Sequence, residues 1–226
     1  MDTQDIPKSG PDRAAALAQY RRRADVYDLE LALFEPIRRQ AVARLGLRPG
    51  DAVLDMGCGT GLSLPLLQSA VGASGRIIGV EQSPEMIEQA RQRVARSRWK
   101  NVTLLCAPAE EAELPGLADA ALFHFTHDIL RRPEAVARAL RHLAPGARVV
   151  ASGLQWAAPW AVPVNALVLV AALRSTTSLE GLQRPWSLLA ASLGPVEVQA
   201  LLLGAVFIVS GRVAATASGA RQVFPT

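Results

Sequence analysis

The residues best suited to chemistry lie in a glycine-rich segment that begins near position 55. An apolar run ends in Asp55 and is followed by Gly57, Gly59 and Gly61, with Cys58 as a small residue inside the turn. Glycine tolerates positive φ angles and lets the backbone approach a ligand closely. This pattern between a strand and a helix predicts a ligand site at the carboxyl end of a parallel strand.

The side chain of Asp55 favours one class of ligand over another for this loop. A dinucleotide site carries Gly-x-Gly-x-x-Gly and holds a pyrophosphate at the helix N-terminus, where a carboxylate would repel it. The same carboxylate would attract an ammonium group. A second acid, Glu81, follows the second apolar run, where it can accept both ribose hydroxyls. The two acids favour a zwitterionic, cationic nucleoside, although nicotinamide enzymes also use an acid at the second position.

Short apolar runs alternate with helical segments along most of the chain. We predict strands at 51–55, 76–80, 102–105, 118–125 and 147–153. Such alternation indicates a parallel sheet with right-handed crossovers.

The two ends of the chain differ from this pattern. The β-rich runs 196–203 and 205–213 are separated only by Gly204, so they predict an antiparallel hairpin. Residues 12–46 read as helical, with Pro36 starting a segment that Gly46 ends. We expect Arg21 to Arg23, and Arg38 with Arg39, to lie on solvated helix faces. The expected division is an N-terminal helical cap or lid at 1–48 and one α/β domain at 49–226.

Composition excludes several classes of protein. The chain has 226 residues, of which 50% are hydrophobic and 19% charged, so it is not a disordered chain. Two cysteines cannot form a disulfide framework or a metal cage. The net charge of +4 is spread along the chain and does not predict a nucleic-acid face. The polar residues 1–10 lack the apolar core of a signal peptide, so a cytoplasmic location is expected.

A charge-free stretch of 25 residues lies between Arg148 and Arg174. Pro159, Pro163 and Asn165 interrupt it, and the remaining apolar helix is too short to span a bilayer. We therefore expect no transmembrane span. The segment is expected to be a buried helix or a wall of the substrate pocket, within an insertion near 154–194.

Together these features resemble class I S-adenosylmethionine-dependent methyltransferases, in particular the type 11, UbiE-like branch that acts on small molecules. The sequence VLDMGCGTG at 53–61 carries most of the resemblance, supported by Ala109-Glu110 and by LAPGA at 143–147. The resemblance implies an α/β fold: a Rossmann-like, seven-stranded, mostly parallel sheet with a C-terminal antiparallel hairpin. It also implies S-adenosyl-L-methionine as cofactor and S-adenosyl-L-homocysteine as product.

The resemblance further implies which residues contact the cofactor. Asp55 and the loop 57–61, including Cys58, would surround its methionine part, and Glu81 its ribose. Gln82 and Met86 would lie near the adenine. Where the family often has an adenine-binding Asp, this chain has Pro108. Adenine recognition would then fall to Ala109, to Glu110 or to packing.

The segment after the fourth strand, residues 123–128, faces the transferring methyl group in this family. His127 and Asp128 are therefore candidates for acceptor positioning or proton removal, and His124 for the wall of the cofactor site. Alternatively, His127 or Asp128 caps the following turn. His124 and His127 have no third ligand nearby, so no metal site is predicted. The candidate substrate residues are Tyr20, Tyr27, Trp156, Trp160, Arg174 and Trp186.

The expected function is methyl transfer to an O, N or C nucleophile of a small, apolar or aromatic molecule. A quinone or phospholipid methyltransferase acting at a membrane surface is the first alternative. A nucleic-acid methyltransferase, a nicotinamide oxidoreductase and a non-catalytic cofactor-binding subunit are further alternatives. A homodimer remains open, and no nucleic-acid partner is expected.

Overall fold

A computed structural model of the chain describes residues 34–176 and 178–214, with the backbone alone for Arg174 and Ser175. The strands are β1 Ala52–Met56, β2 Arg76–Glu81, β3 Val102–Cys106, β4 Ala118–His124, β5 Leu143–Leu154, β6 Glu197–Leu201 and β7 Val206–Arg212. The α-helices are α1 Glu35–Leu45, α2 Leu64–Val71, α3 Pro84–Ser97, α4 His127–Leu130, α5 Pro133–Arg141, α6 Val162–Ser175 and α7 Ser187–Ala191.

The seven strands form one sheet in the order β3-β2-β1-β4-β5-β7-β6. Strands β1 to β5 are mutually parallel, whereas β7 pairs antiparallel with both β5 and β6. The predicted Rossmann-like sheet with a C-terminal antiparallel hairpin is confirmed. The connection within the hairpin is the 3₁₀ turn Leu202–Gly204 rather than Gly204 alone.

The fifth strand starts earlier than the sequence predicted. Leu143, four residues before the predicted start at 147, already pairs with Ala118 at the start of β4. The register then shifts, so that Ala120 pairs with Arg148. The irregularity accommodates the turn residue Gly146, which has a φ of +78°. Helix α5 therefore ends at Arg141.

The central strands are buried on both faces, which explains why they read as continuous apolar runs. Leu54 and Met56 of β1 pack into the core on one side of the sheet, and Val53 packs into the core on the other. All three side chains are fully buried. Helix α1 belongs to the second of these cores through Ala41 and Leu45, so the described part of the N-terminal cap packs directly on the sheet.

Helix α6 lies at the surface, so the prediction of a buried helix is wrong, and the alternative of a substrate-pocket wall stays a prediction. Among the described side chains of this helix, only Val168 and Ala172 are buried. Large apolar side chains on its other faces are exposed, among them Leu167 (72%) and Leu173 (62%). A helix that is apolar all round usually reads as buried. Here it follows the end of β5 and lies beyond the sheet.

Candidate functional site

The glycine loop is fixed by the strand beside it. The backbone N–H groups of Gly57 and Cys58 both donate to the carbonyl of Val80 in β2, at 2.8 and 2.9 Å. Gly57 has a φ of +76°, and a Cβ on it would lie 2.5 Å from Cγ2 of Thr126. The loop therefore passes directly against the segment that follows β4, and no larger residue fits at position 57.

Glu81 ties the end of β2 to the same loop. Its Oε2 accepts the N–H of Gly59 at 3.1 Å, and its Oε1 accepts the N–H of Ser83 at 2.8 Å. Burial raises the pKa of the Glu81 carboxyl, and these backbone hydrogen bonds oppose that rise. Each carboxylate oxygen keeps a second lone pair, so Glu81 can still accept hydrogen bonds from a ribose.

The loop opens on a main cavity at the carboxyl end of the parallel strands. Ten residues singled out from the sequence line it: Gly57, Gly59, Glu81, Gln82, Met86, Ala109, Glu110, His124, His127 and Asp128. The structure thus brings most of the predicted site residues together.

Glu110 has a partner that the sequence did not indicate. Its Oε1 accepts a hydrogen bond from Nη1 of Arg132 at 2.9 Å, and both residues line the main cavity. The pair lies beside Ala109 on the wall where the resemblance implies the adenine.

A smaller side cavity shares Gly57, Gly59 and His124 with the main one. Asp55 lines it, with 1% of its surface exposed. Its Oδ2 has no hydrogen-bond partner in the part of the chain that the structure describes. Burial raises the pKa of Asp55 to about 7, the positive charge of Arg38 opposes this, and the negative charge of Glu81 adds to it.

Arg38 is the functional candidate that the sequence analysis missed. It lines the side cavity with only 2% of its surface exposed, whereas the side chain of its neighbour Arg39 is 65% exposed. Its Nη1 pairs with the carboxylate of Glu35. Its Nε and Nη2 are buried without an acceptor among the described residues. The prediction of a solvated helix face is therefore correct for Arg39 and wrong for Arg38, whereas Arg21 to Arg23 lie outside the described residues.

A signal for Arg38 was present in the sequence. Positions 38, 41, 42 and 45 recur at the spacing of one helix face, and the other three are apolar. An arginine within an apolar stripe must be buried with a partner or face a ligand.

The segment after β4 is held in an unusual backbone conformation. Phe125 has a φ of +57°, a strained value for a residue other than glycine, and such strain clusters at functional sites. Its N–H donates to the carbonyl of Ser152 at 2.7 Å, and its ring packs 4.8 Å from that of Phe34. These contacts offset the strain and turn the following residues toward the glycine loop.

His124 and His127 both lie in this region. His124 is partly buried, whereas His127 is buried with 4% of its surface exposed. Nδ1 of His124 lies 2.7 Å from Oγ of Ser152, and burial, with a smaller effect of Arg38, lowers the pKa of His124 to about 3. Nε2 of His127 lies 2.8 Å from the carbonyl oxygen of Leu154. Burial also lowers the pKa of His127, so both rings are neutral near pH 7.

Several predicted site residues are not placed on the cavity walls. Gly61 packs instead against Leu64 and Ala90, where a Cβ would be too close to both side chains. Trp186 packs against Phe207 in the core, with ring centroids 4.8 Å apart.

The remaining substrate candidates either lie away from both cavities or fall outside the described residues. Trp156 is partly buried against a core cluster, and Trp160 is 81% exposed. Neither lines the main or the side cavity. Tyr20 and Tyr27 lie outside the described residues, as does the side chain of Arg174.

Two further expectations concern metals and membranes. Among residues 34–176 and 178–214, no group of three His, Cys, Asp or Glu side chains is arranged to hold a metal ion. Within the same ranges, every helix is too short or too polar to cross a bilayer.

The chain matches known proteins over the half that contains this site. Residues 53–146 match the model of the methyltransferase domain family. A demethylmenaquinone methyltransferase of Symbiobacterium thermophilum is 36% identical over 121 residues, which are 52% of this chain and 48% of that protein. Aklanonic acid methyltransferase DauC of Streptomyces sp. is 30% identical over 120 residues, covering 53% and 54%. The chain thus spans about half the length of these two curated relatives.

Solved structures share the fold. N-methyltransferase NodS from Bradyrhizobium japonicum, in complex with S-adenosyl-L-homocysteine, superposes with a TM-score of 0.63 over 88% of this chain and 97% of that one. The sequence identity is 16%, so this likeness shows the fold alone. With the family match and the curated relatives, it confirms the resemblance drawn from the sequence: residues 53–146 carry a class I S-adenosylmethionine-dependent methyltransferase domain.

Proposed function

We propose that this methyltransferase domain transfers a methyl group from S-adenosyl-L-methionine to an O, N or C nucleophile of a small, apolar or aromatic molecule. One observation carries the cofactor assignment. The side cavity is lined by a buried carboxylate and a buried guanidinium, and Asp55 and Arg38 each present buried polar atoms without a partner among the described residues.

This pair of charges matches the amino-acid end of the cofactor. An ammonium group supplies the donor that Asp55 Oδ2 lacks, and a carboxylate supplies the acceptor that Arg38 Nε and Nη2 lack. Buried charged groups are tolerated when they are paired in this way. The residues present therefore fit the cofactor, with its amino-acid end in the side cavity.

The nucleoside part belongs in the adjoining main cavity. Glu81 offers lone pairs to the ribose hydroxyls. Met86 and Ala109, both buried, provide apolar surface for the adenine, flanked by Gln82 and by the Glu110–Arg132 pair. Where the family often has an adenine-binding Asp, this chain has Pro108. Packing and the local backbone take over that role here.

When bound, S-adenosyl-L-methionine supplies a methyl group already activated on a sulfonium sulfur. What remains for this chain is to orient the acceptor and to exclude water. Orientation alone is worth roughly 7–11 kcal/mol when the reacting atoms are held in near-attack geometry. Phe125 and Ile129 supply apolar walls for an acceptor beside the polar groups of Thr126 and His127.

Calorimetric titration tests the cofactor assignment without knowledge of the acceptor. We compare S-adenosyl-L-homocysteine with 5′-methylthioadenosine, which lacks the amino-acid end. Asp55→Asn and Arg38→Gln should each weaken S-adenosyl-L-homocysteine binding by about 10- to 100-fold, since a hydrogen bond to a charged group is worth about 1.5–3 kcal/mol. Neither variant should change the affinity for 5′-methylthioadenosine. Absence of S-adenosyl-L-homocysteine binding by the wild-type protein would refute the proposal.

A second candidate is a quinone or phospholipid methyltransferase working at a membrane surface. The observation that favours it is the apolar surface of α6 and of the β6–β7 turn. Trp160, Leu167 and Leu203 are 81%, 72% and 78% exposed, respectively. The turn lies against the chain before α6, since a Cβ on Gly204 would be 3.5 Å from Cα of Ala157. Binding to lipid vesicles distinguishes this candidate from the first.

A further inference from the structure

His127 has one ring nitrogen fixed by the protein and one left without a partner. Nε2 lies 2.8 Å from the carbonyl oxygen of Leu154. Nδ1 has no hydrogen-bond partner within the described residues. It is also shielded from water, since the residue is only 4% exposed. The ring lines the main cavity. A buried polar atom left unmatched in this way costs free energy unless a ligand completes it.

We infer that the methyl acceptor carries an O–H or N–H group that donates to Nδ1 of His127, which makes this residue the catalytic base and the methylated atom a protic oxygen or nitrogen. The inference rests on the proposed function and narrows its substrate class. It disfavours acceptors that attack through a lone pair without a proton to lose.

The carbonyl of Leu154 decides which nitrogen carries the proton. A carbonyl oxygen only accepts hydrogen bonds, so Nε2 must be the donor. In the neutral ring the other nitrogen is then an acceptor. Nδ1 therefore requires a donor from the cavity, and a hydroxyl, a phenol or an amine supplies one.

The ring cannot move away from this position easily. A Cβ on Gly153 would lie 2.7 Å from Cε1 and 2.9 Å from Nε2 of His127, so the ring occupies the space that a side chain at 153 would take. On its other sides the ring packs edge-on to Phe125 and Phe207, with centroids 6.4 and 6.3 Å away.

Thr126 brings this base next to the glycine loop. Its Cγ2 would be 2.5 Å from a Cβ on Gly57, and its buried Oγ1 has no partner among the described residues. Two adjacent residues, Thr126 and His127, thus each present an unmatched polar atom in the same cavity, beside the loop proposed to hold the cofactor. The hydroxyl of Thr126 can accept from or donate to the same acceptor group.

The proton transfer balances without a co-reactant. The X–H bond of the acceptor breaks, its electron pair stays on X, and the lone pair of Nδ1 forms an N–H bond. The ring becomes an imidazolium whose Nε2–H still donates to Leu154. Two charged side chains act on it: Asp128 favours the imidazolium and Arg131 opposes it. The proton passes to solvent once the product leaves.

Nitrogen NMR of the complex with S-adenosyl-L-homocysteine tests the inference directly. With ¹⁵N-labelled histidine, we expect Nδ1 of His127 to be unprotonated and Nε2 protonated. Addition of 2-naphthol should shift the Nδ1 resonance, whereas 2-methoxynaphthalene, which lacks the O–H, should leave it in place. A protonated Nδ1 would overturn the inference, as would an equal or absent response to both probes.

Two substitutions separate the base from its anchor. His127→Gln retains an amide N–H that can reach Leu154 but removes the acceptor at Nδ1. His127→Asn places an amide oxygen near Nδ1 but gives up the bond to Leu154. In the S-adenosyl-L-homocysteine complex, His127→Gln should weaken 2-naphthol binding by about 2- to 10-fold, as expected for one lost hydrogen bond. His127→Asn should weaken it less, and the reverse order would count against the inference.

The same titrations keep this inference distinct from the proposed function. Both variants should bind S-adenosyl-L-homocysteine with the affinity of the wild-type protein, because its contacts are assigned to other residues. If cofactor binding holds but the naphthol response is missing, the acceptor inference fails and the cofactor assignment stands. If the wild-type protein does not bind S-adenosyl-L-homocysteine, the proposed function itself fails.

Discussion

Asp55 is a buried carboxyl whose ionisation should control cofactor binding. Its pKa is raised to about 7 because the side chain is fully buried, so near neutral pH the ligand-free protein holds a mixture of its two forms. Only the ionised form attracts an ammonium group. Binding of S-adenosyl-L-homocysteine must therefore include loss of the Asp55 proton whenever the pH lies below that pKa.

We expect the affinity for S-adenosyl-L-homocysteine to rise as the pH increases from 6 to 8. Below the raised pKa, the dissociation constant should increase by about tenfold for each unit that the pH falls, since binding must release one proton from Asp55. Asp55→Asn should bind more weakly and lose this component of the pH dependence. Calorimetry in two buffers of different ionisation enthalpy measures the proton release, and an identical pH profile in the variant would contradict the assignment.

Two neighbouring arginines of α1 show which part of the site the sequence does not predict. Arg38 and Arg39 are adjacent and chemically identical, yet one is buried beside Asp55 and the other is exposed. The helix and its end at Gly46 followed from local signals. The apolar positions 41, 42 and 45 share a helix face with Arg38 and mark it as the inward arginine. That this face brings Arg38 to Asp55 depends on how α1 packs on the sheet, a tertiary contact that no local pattern encodes.

At the scale of elements, the glycine loop and the β4–α4 segment form one packed unit. Gly57 combines a positive φ with a close contact to Thr126, so an added methyl group meets both backbone strain and a clash. Gly72, at the end of α2, has a φ of +67° but nothing within 4 Å of an added Cβ. The two positions separate the effect of strain from the effect of contact.

Gly57→Ala should therefore be more damaging than Gly72→Ala. We expect Gly72→Ala to lower the free energy of unfolding by about 1–3 kcal/mol, the cost of a positive-φ, extended-ψ backbone conformation that is almost confined to glycine. Gly57→Ala should lower it further and also abolish S-adenosyl-L-homocysteine binding. Denaturant unfolding and calorimetry measure both quantities. Equal effects of the two substitutions on stability and binding would argue against a packed loop.

The elements themselves were predictable where two signals agreed. Alternating strands and helices predicted the parallel sheet, and the short connection near Gly204 predicted the antiparallel hairpin. Helix α6 was misjudged because all its faces are apolar, so its sequence holds no periodicity that marks an outer face. Trp186 and Trp160 line neither cavity, and their roles as substrate residues stay predictions, because aromatic side chains suit cores, pocket walls and surfaces alike.

At the scale of the whole molecule, the exposed apolar residues are concentrated in one part of the chain. Among the described residues, eight large apolar side chains from 160–173 and from the β6–β7 turn are at least 36% exposed, namely Trp160, Val162, Leu167, Leu169, Val170, Leu173, Leu202 and Leu203. Extended exposed apolar patches mark interaction sites for proteins, membranes or ligands. No acidic or basic residue lies between Arg148 and Arg174. Contact of this segment with a neutral lipid surface would therefore bury no charged side chain.

Substitutions in α6 test whether this surface contacts lipid. The membrane candidate predicts that the wild-type protein co-sediments with phosphatidylcholine vesicles. It predicts at least ~10-fold less co-sedimentation for the double variant Leu167→Gln/Leu173→Gln, since each leucine contributes up to about 1.5–3 kcal/mol when fully buried. Both leucines are exposed in the free protein, so its unfolding midpoint should not fall. Leu117→Gln, a half-exposed leucine outside this surface, is the matched control. Equal sedimentation of all three proteins would exclude lipid contact through α6 and leave the small, apolar acceptor as the proposed substrate class.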